Sequence, residues 1–528
     1  MNYRAAFLLL LCSPALAEVK LAGVFGDHMV VQQKQAIPVF GWAEPGELVK
    51  ASLGDGSLWI NSKADENGRW IIKLHPMPAG GPHKLTVKGS ADTVVVNDVL
   101  VGEVWLCSGQ SNMAMTVSRS KDFDNEKTLA DHPKIRMFKT AANSRPDKQD
   151  DCKGAWKVAS ADTVGSFSAT AWFFGRKLHK ELDVPIGLIN SSWGGTDIAA
   201  WTSKEAQETN EVLAGKMVAF DKAKKNYSPE RAEQQFRKSL KRWQEKKAAG
   251  EKVGRKPRKA IDPMRNQNRP SNLFNGMIHP LIPYGIRGAI WYQGERNSKS
   301  IENGQLYADQ LKLLITDWRT RWGQGDFPFI TVQLPNFHAK QTKPVESTGW
   351  VMVRESELRS LELKNTGIAV TTDVGMANDI HPKNKQVVGQ RLALWALGTT
   401  YEKKIVYSGP LFSYQQHTLS NGEKPGKIEL SFNHVGDKLS TTKGKFVTGF
   451  AIAGDDKVFH AARGNIVKGG SVVVLRSKKV PNPVAARYNW ADNPNGNLVN
   501  SAGLPASPFR TDTWAVKSPT KPARGKKK

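Results

Sequence analysis

Between residues 18 and about 100, apolar and polar positions alternate in short runs. AIPVFGWA, LVKASL, RWIIKL, HKLTVKG and DTVVVND follow one another, separated by Pro-Gly, Asn-Gly and Gly-Gly breaks. Strict alternation places every second side chain on one face of a strand. Short strands at regular spacing predict a small β-sandwich over 18–100. From about 101 to 400 the pattern changes. Candidate strands EVWLCSG, PIGLINSSW, IRGAIWYQG, FPFITVQLP and TGIAVTTD interleave with candidate helices AWFFGRKLHKEL, QLYADQLKLLITDWRTRW and NKQVVGQRLALWALGTT. Such interleaving predicts an α/β domain: a parallel sheet with helices on both faces. Residues 401–515 return to β texture in KIELSF, FVTGFAIAG, KVFHAARG and SVVVLRS, which predicts a further β-rich domain.

Three segments stand outside these patterns. Residues 203–270 are dense in Lys, Arg, Glu and Ala and read as a solvated, basic helical insertion ending in a Gly/Pro-broken loop. Residues 516–528 form a basic, Pro-containing tail expected to be disordered. Met1 to Ala17 read as an export signal: Arg4 supplies the positive start, Ala5 to Leu11 the apolar core, Ala15-Leu16-Ala17 the small-residue cleavage site. The apolar run is too short to span a bilayer. Leu11 is too bulky for a lipoprotein signal at Cys12. The expected product is exported and soluble, periplasmic or extracellular, without integral membrane association.

Composition narrows the function classes. The 528 residues carry a formal charge of +27, with 39% hydrophobic residues. The sequence pI is about 9.8 and the mean hydropathy −0.45. This charge suits nucleic-acid binders and exported proteins acting on acidic polymers. An export signal, and the lack of any RNP, helix-turn-helix or zinc-finger pattern, argue against nucleic acid. Beyond the signal only Cys107 and Cys152 remain. Two cysteines make no disulfide framework, and whether they pair or stay buried free thiols is open. No CxxC, HExxH or Cys/His cluster points to a structural zinc.

Candidate chemistry sits just after predicted strands, where the loops of an open α/β sheet build sites. The strand EVWLC runs into Gly109-Gln110-Ser111-Asn112-Met113. Alone this is a turn of Gly, Ser and Asn. An acyl-transfer serine needs a base, a group that orients the base, and donors for the developing oxyanion. The base candidate is His381, in Asn378-Asp379-Ile380-His381-Pro382, between a strand and a helix. Asp379 could hold its imidazole. Oxyanion donors could come from the Ser111 backbone N–H and from Ser191-Ser192-Trp193-Gly194-Gly195-Thr196, where paired glycines allow close backbone approach. In Trp291-Tyr292-Gln293-Gly294-Glu295-Arg296-Asn297, Gln293 could donate its amide to the oxyanion, and Glu295 could support the histidine or bind substrate. Met113 stands where a Gly-x-Ser-x-Gly elbow would have its last glycine, which disfavours a triglyceride lipase.

With these blocks in view, the chain resembles the sialate O-acetylesterase family of SGNH hydrolases. The stretches WLCSGQSNM, PIGLINSSWGGTDIAAW, NLFNGMIHPLIPYGIRGAIWYQGERN and NDIHPKNKQVVGQRLA occur in the family's order. The opening GVFGDHMVVQQ and the closing RYNWADNPNGNLVNSAGLPASPFRTDTW look like its flanking β regions. The resemblance implies a flavodoxin-like three-layer α/β/α hydrolase domain with β-rich domains around it. It implies a serine esterase, free of metal and cofactor, that removes O-acetyl groups from sugars. It makes Ser111 the nucleophile, His381 the base and Asp379 its partner. Gly194 or Gly195 with Gln293 would complete the oxyanion hole; Gln110, Asn112 and Arg296, neighbours of these residues in the chain, are further candidates for oxyanion or substrate binding. Related acetyl-xylan esterases use the acid of a QGE motif, which makes Glu295 a second candidate acid. Two positions depart from the pattern. The superfamily's acid usually lies three residues before the histidine, where this chain has Asn378. Arg296 follows QGE where relatives commonly carry Ser or Ala. Three functions stay open: a sialate O-acetylesterase-like enzyme, an acetylesterase of plant, algal or bacterial-wall polysaccharide, including an acidic one, and a non-catalytic carbohydrate-binding protein.

Overall fold

A computed structural model of the chain describes residues 18–516 apart from 342–343, 345–346 and 424. The expected signal at 1–17 and most of the expected tail lie outside the described residues. The fold is mixed α/β. Its central element is strand β1 (Thr93–Gly109), 17 residues long. The first half of β1 pairs with strands Val30–Gln32 and Gly80–Lys88 of the N-terminal region. Its second half lies between β4 (Ile186–Ser192) and β5 (Gly288–Tyr292). One strand thus crosses the boundary expected near residue 100. Its alternating half-exposed start gives way to continuous burial from Val99 onward, as its outer face becomes covered.

The central sheet runs β3 (Trp156–Ala159), β2 (His132–Lys139), β4, β1, β5, β6 (Phe329–Val332), β7 (Thr366–Ala369). All neighbours are parallel except the edge pair β3–β2. Strand order reverses at β1: the chain builds outward on the β4 side, then returns to add β5 to β7 on the other. A crevice opens at such a switch point beyond the carboxyl ends of the strands.

Successive residues of β1 face opposite ways. Trp105 and Cys107 pack with Ile290, Ile330 and Ile368 under helices α1 (Ala169–Leu182) and α4 (Lys385–Trp395). Val104 and Leu106 pack with Ile189, Trp291 and Phe329 under α2 (Ile301–Trp322), which contributes Tyr307, Leu311, Leu314 and Trp318. Each large apolar side chain so buried contributes about 1.5–3 kcal/mol. The helices start on side-chain caps: Ser168, Ser300 and Asn384 accept from the backbone of the first turns. A further helix, α3 (Gly349–Leu358), packs on α2 and presents the fully buried Arg354, whose guanidinium donates to the carbonyls of Leu334, Pro335, Ala491 and Asp492. This fastens the C-terminal region, a seven-stranded antiparallel sheet from Leu411 to Arg510, against the central part.

Within 203–270, helices Lys204–Glu208, Glu211–Lys225 and Pro229–Ala248 are followed by irregular chain; the last buries only Ala232. Cys107 and Cys152 are both buried free thiols. Among the described residues no helix is long and apolar enough to cross a membrane.

Candidate active site

The four blocks singled out in the sequence follow β1, β4, β5 and β7, and meet at the carboxyl rim of the sheet. Gly109 ends β1 with φ +138°, a conformation that L side chains rarely adopt. A Cβ there would lie 2.2 Å from the carbonyl oxygen of Tyr292. Glycine therefore lets the chain leave β1 against β5, and Ser111 begins a single helical turn, Ser111–Ala114.

His381 Nε2 lies 2.9 Å from Ser111 Oγ. With the ring proton on Nδ1, Nε2 accepts from the hydroxyl, the geometry of a general base. Asp379 is less intimate. Its Oδ1 lies 3.5 Å from His381 Nδ1, accepts the His381 backbone N–H at 2.9 Å, and its side chain is 41% exposed. Partial burial of the imidazole holds its pKa below the usual histidine value; Asp379 pulls the other way, while Lys385 and Arg119 add to the lowering. The imidazole is thus biased towards the neutral form that a base requires.

Gly194 lies against the serine: a Cβ there would meet Ser111 Cβ at 3.2 Å. The Trp193 N–H donates to the Gly109 carbonyl at 3.1 Å, and Gln267 Nε2 donates to the Gly194 carbonyl at 3.0 Å, so the loop is held from both sides. Among the described residues the N–H groups of Ser111 and Gly194 have no protein acceptor. Two fixed amides flanking one hydroxyl are what an oxyanion needs. Gly195, at φ +72°, is exposed and turns the loop.

Gln293 is fully buried, and its amide nitrogen lies within hydrogen-bond distance of the Gln110 side-chain oxygen, the Thr196 carbonyl and the Asn297 side-chain oxygen. Two N–H bonds facing three protein acceptors leave this amide tying the β1, β4 and β5 loops together. Gln110 also accepts the Arg296 backbone N–H at 3.3 Å. The Arg296 side chain is half-buried and makes no ion pair among the described residues.

Among the described residues Glu295 makes no hydrogen bond or ion pair with the histidine; it accepts from the Asn112 amide, while its other oxygen is buried without a partner. Burial pushes its carboxyl pKa up, and the Asn112 bond opposes this. Asn112 donates also to the Ile380 carbonyl at 3.1 Å and accepts from Lys385 Nζ. Lys385 is the residue that the sequence reading passed over. It is 0% exposed, with its ammonium 4.9 Å from the centre of the Tyr292 ring. In sequence it is one more lysine at the polar start of the candidate helix NKQVVGQRLALWALGTT; only tertiary packing buries it.

The chain is similar to known proteins along most of its length. Residues 101–228 and 261–397 match the carbohydrate esterase family described as sialic acid-specific acetylesterase. The sialate O-acetylesterase of Mus musculus is 31% identical over 440 residues, covering 76% of this chain and 77% of its own. That of Homo sapiens is 30% identical over 447 residues, covering 78% and 74%. The crystal structure of a carbohydrate acetylesterase from Xanthomonas citri superposes with a TM-score of 0.78 at 35% identity, covering 94% of this chain and all of that one.

Proposed function

Since the chain belongs to the sialic acid-specific acetylesterase family of carbohydrate esterases and is a carboxylic ester hydrolase, we propose that it removes O-acetyl groups from sugars through an acetyl-enzyme on Ser111. The observation that carries this reading is the 2.9 Å approach of His381 Nε2 to Ser111 Oγ at the sheet's carboxyl rim. Ser111 Oγ attacks the acetyl carbonyl carbon while His381 takes its proton. The N–H groups of Ser111 and Gly194 hold the oxyanion. The bond to the sugar oxygen breaks as His381 returns the proton to it. Water, deprotonated by the same imidazole, then releases acetate. Asp379 orients His381 from a solvent-facing position, and Glu295 acts on Asn112 instead of on the base. Gln293 and Gln110 brace the loops.

The central sheet with its helical layers is assigned to a flavodoxin-like SGNH hydrolase domain, residues 101–400, with β-rich domains at 18–100 and 401–515 and a basic insertion at 203–270. Export past a signal at 1–17 remains part of the proposal. Acidic acetylated sugars or polysaccharides are favoured as substrates: the chain carries +27, and Arg296, whose backbone bonds Gln110 beside the nucleophile, makes no ion pair among the described residues. The purely sugar-binding reading loses its basis with the Ser111–His381 pair in reach. Rapid quenching of a turnover reaction followed by peptide mapping tests the mechanism. An acetyl group on the peptide containing Ser111 is expected; an acetyl group on any other residue would contradict it. Deacetylation of O-acetyl sialic acid, acetyl-xylan and an acidic acetylated polysaccharide, each at low and high salt, ranks the substrates. Turnover of the acidic polymer that ignores salt removes charge steering.

A further inference from the structure

A fully buried lysine is costly, because transferring an ammonium out of water is opposed by several kcal/mol unless it is well partnered. Lys385, first residue of α4, makes no ion pair among the described residues; its neighbours are the Asn112 side-chain oxygen and the Tyr292 ring. A lysine can only donate. It therefore dictates which end of the Asn112 amide faces it: the oxygen turns to Lys385, and the NH2 must turn to Glu295 and the Ile380 carbonyl. Asn112 follows the nucleophile and Ile380 precedes the base. We propose that Lys385 is a positioning residue: it fixes the Asn112 amide so that one side chain clamps the nucleophile's turn to the loop of the base. This rests on the esterase mechanism proposed above.

The charge balance supports it. The groups facing His381 are Asp379 from its own loop, Lys385 from α4 and Arg119 from the segment after the nucleophile. Those facing Lys385 are Glu295 after β5 and Asp379. Glu295 in turn faces the buried Glu357 of α3. Burial brings the lysine's pKa down to about 7, its carboxylate neighbours opposing this. Below neutrality it carries its proton, so its charge is present over the range in which His381 titrates.

The test compares Lys385→Met and Lys385→Arg with wild type in kcat, KM and the pH dependence of kcat/KM on p-nitrophenyl acetate. Lys385→Met removes charge and donor at similar volume. Its kcat is expected to fall about a hundredfold through misplacement of the reacting groups, with KM little changed. The midpoint of its acid limb should move to higher pH, because the imidazolium has lost a repelling neighbour. Lys385→Arg should keep the wild-type midpoint. A folded Lys385→Met with unchanged kcat and midpoint overturns the inference. If that variant does not fold, Lys385→Gln, which keeps a donor without charge, should still show the raised midpoint; an unmoved one overturns the inference. Ser111→Ala separates the two levels: its inactivity beside an unaffected Lys385 variant sinks only the positioning role, whereas an active Ser111→Ala sinks the mechanism itself.

A separate observation carries a second inference. Between 231 and 259 twelve Lys and Arg stand against three Glu. Helix Pro229–Ala248 buries only Ala232, so its outer surface is its main asset. Trp243 donates its indole N–H to the Gly254 carbonyl at 2.8 Å, folding the following loop over the helix. The result is a cleft of about 380 Å³ between Lys238, Arg242, Trp243, Lys246, Lys252 and Pro257. Among the described residues Lys246 alone of its cations has a carboxylate partner, Glu251. Beyond the loop, Gln267 and Asn268 bond the Gly194 carbonyl and the Asp197 N–H, so the insertion is rooted at the active-site loop. We infer that this cleft binds the anionic groups of an acidic polysaccharide, carboxylates or sulfate esters, on the same polymer whose acetyl groups are cleaved. The full chain is tested for binding to two anionic polymers, polygalacturonate and dextran sulfate, with neutral dextran and duplex DNA as comparisons. Both anionic polymers, or one of them, should bind and release with rising salt, and the triple variant Lys238→Ser, Arg242→Ser, Lys252→Ser should bind roughly tenfold more weakly at unchanged melting temperature. Equal binding by the variant, equal binding of neutral dextran, or tighter binding of duplex DNA overturns it.

Discussion

Ser111 and His381 stand 270 positions apart in the chain, yet Oγ and Nε2 lie 2.9 Å from each other. The contact exists because β1 sits at the centre of the sheet and β7 at its edge, and both deliver their loops to the same rim. The imidazole must be neutral to accept the serine proton. Its partial burial holds its pKa below the usual value of about 6.5. The acid limb of kcat/KM should therefore have its midpoint below that value, with activity lost as pH falls through it and the base becomes charged. A midpoint above it, measured on a neutral acetyl ester, would mean that the environment favours the imidazolium.

The two candidate acids should separate under mutation. Asp379 is long in its contact and partly solvated, so Asp379→Asn should reduce kcat about 10- to 100-fold, less than the roughly 10⁴ seen where a buried aspartate fixes the imidazole. Glu295→Gln keeps an acceptor for Asn112 and touches no atom of the base, so its loss should stay below about tenfold. The reverse order in steady-state kinetics would make Glu295 the orienting acid.

The paired glycines should also part company. Gly194→Ala puts a methyl 3.2 Å from Ser111 Cβ, and the nucleophile must move; kcat should fall about tenfold or more. Gly195→Ala meets only Gln267 Nε2, at an ordinary contact distance of 3.9 Å, but holds φ +72°, so it should mainly lower stability, by about 1–2 kcal/mol. Kinetics and thermal melts of the pair check this.

Gly109→Ala combines a forbidden φ with a 2.2 Å clash on the Tyr292 carbonyl. Destabilisation of about 3 kcal/mol or more is expected, and denaturant titration would record it as a lower midpoint. A variant as stable as wild type would place the turn in another conformation.

The strands and helices with clean periodicity are legible in the sequence, and Ser111 and His381, candidates there, are side chains that lie 2.9 Å apart in the structure. What escaped was hidden by polar residues that tertiary structure buries. β2, HPKIRMFK, has no clean alternation and is not among the expected strands, yet Arg136 is buried and pairs with Asp98. In α3, GWVMVRESEL mixes β-branched residues with charges, and the buried Arg354 finds its acceptors in distant backbone. The break expected near residue 100 is crossed by β1 because local texture changes there while hydrogen bonding does not. Gln293 was expected to aim its amide at substrate; its three protein acceptors come from loops far apart in sequence. Lys385 belongs to the same group.

Acetate release from an O-acetylated sugar by wild type and by Ser111→Ala tests the central claim most directly. With the nucleophile gone, kcat should fall by about 10⁴ to 10⁶ while circular dichroism stays that of the folded enzyme. A folded Ser111→Ala protein that deacetylates within about tenfold of wild type would contradict the mechanism.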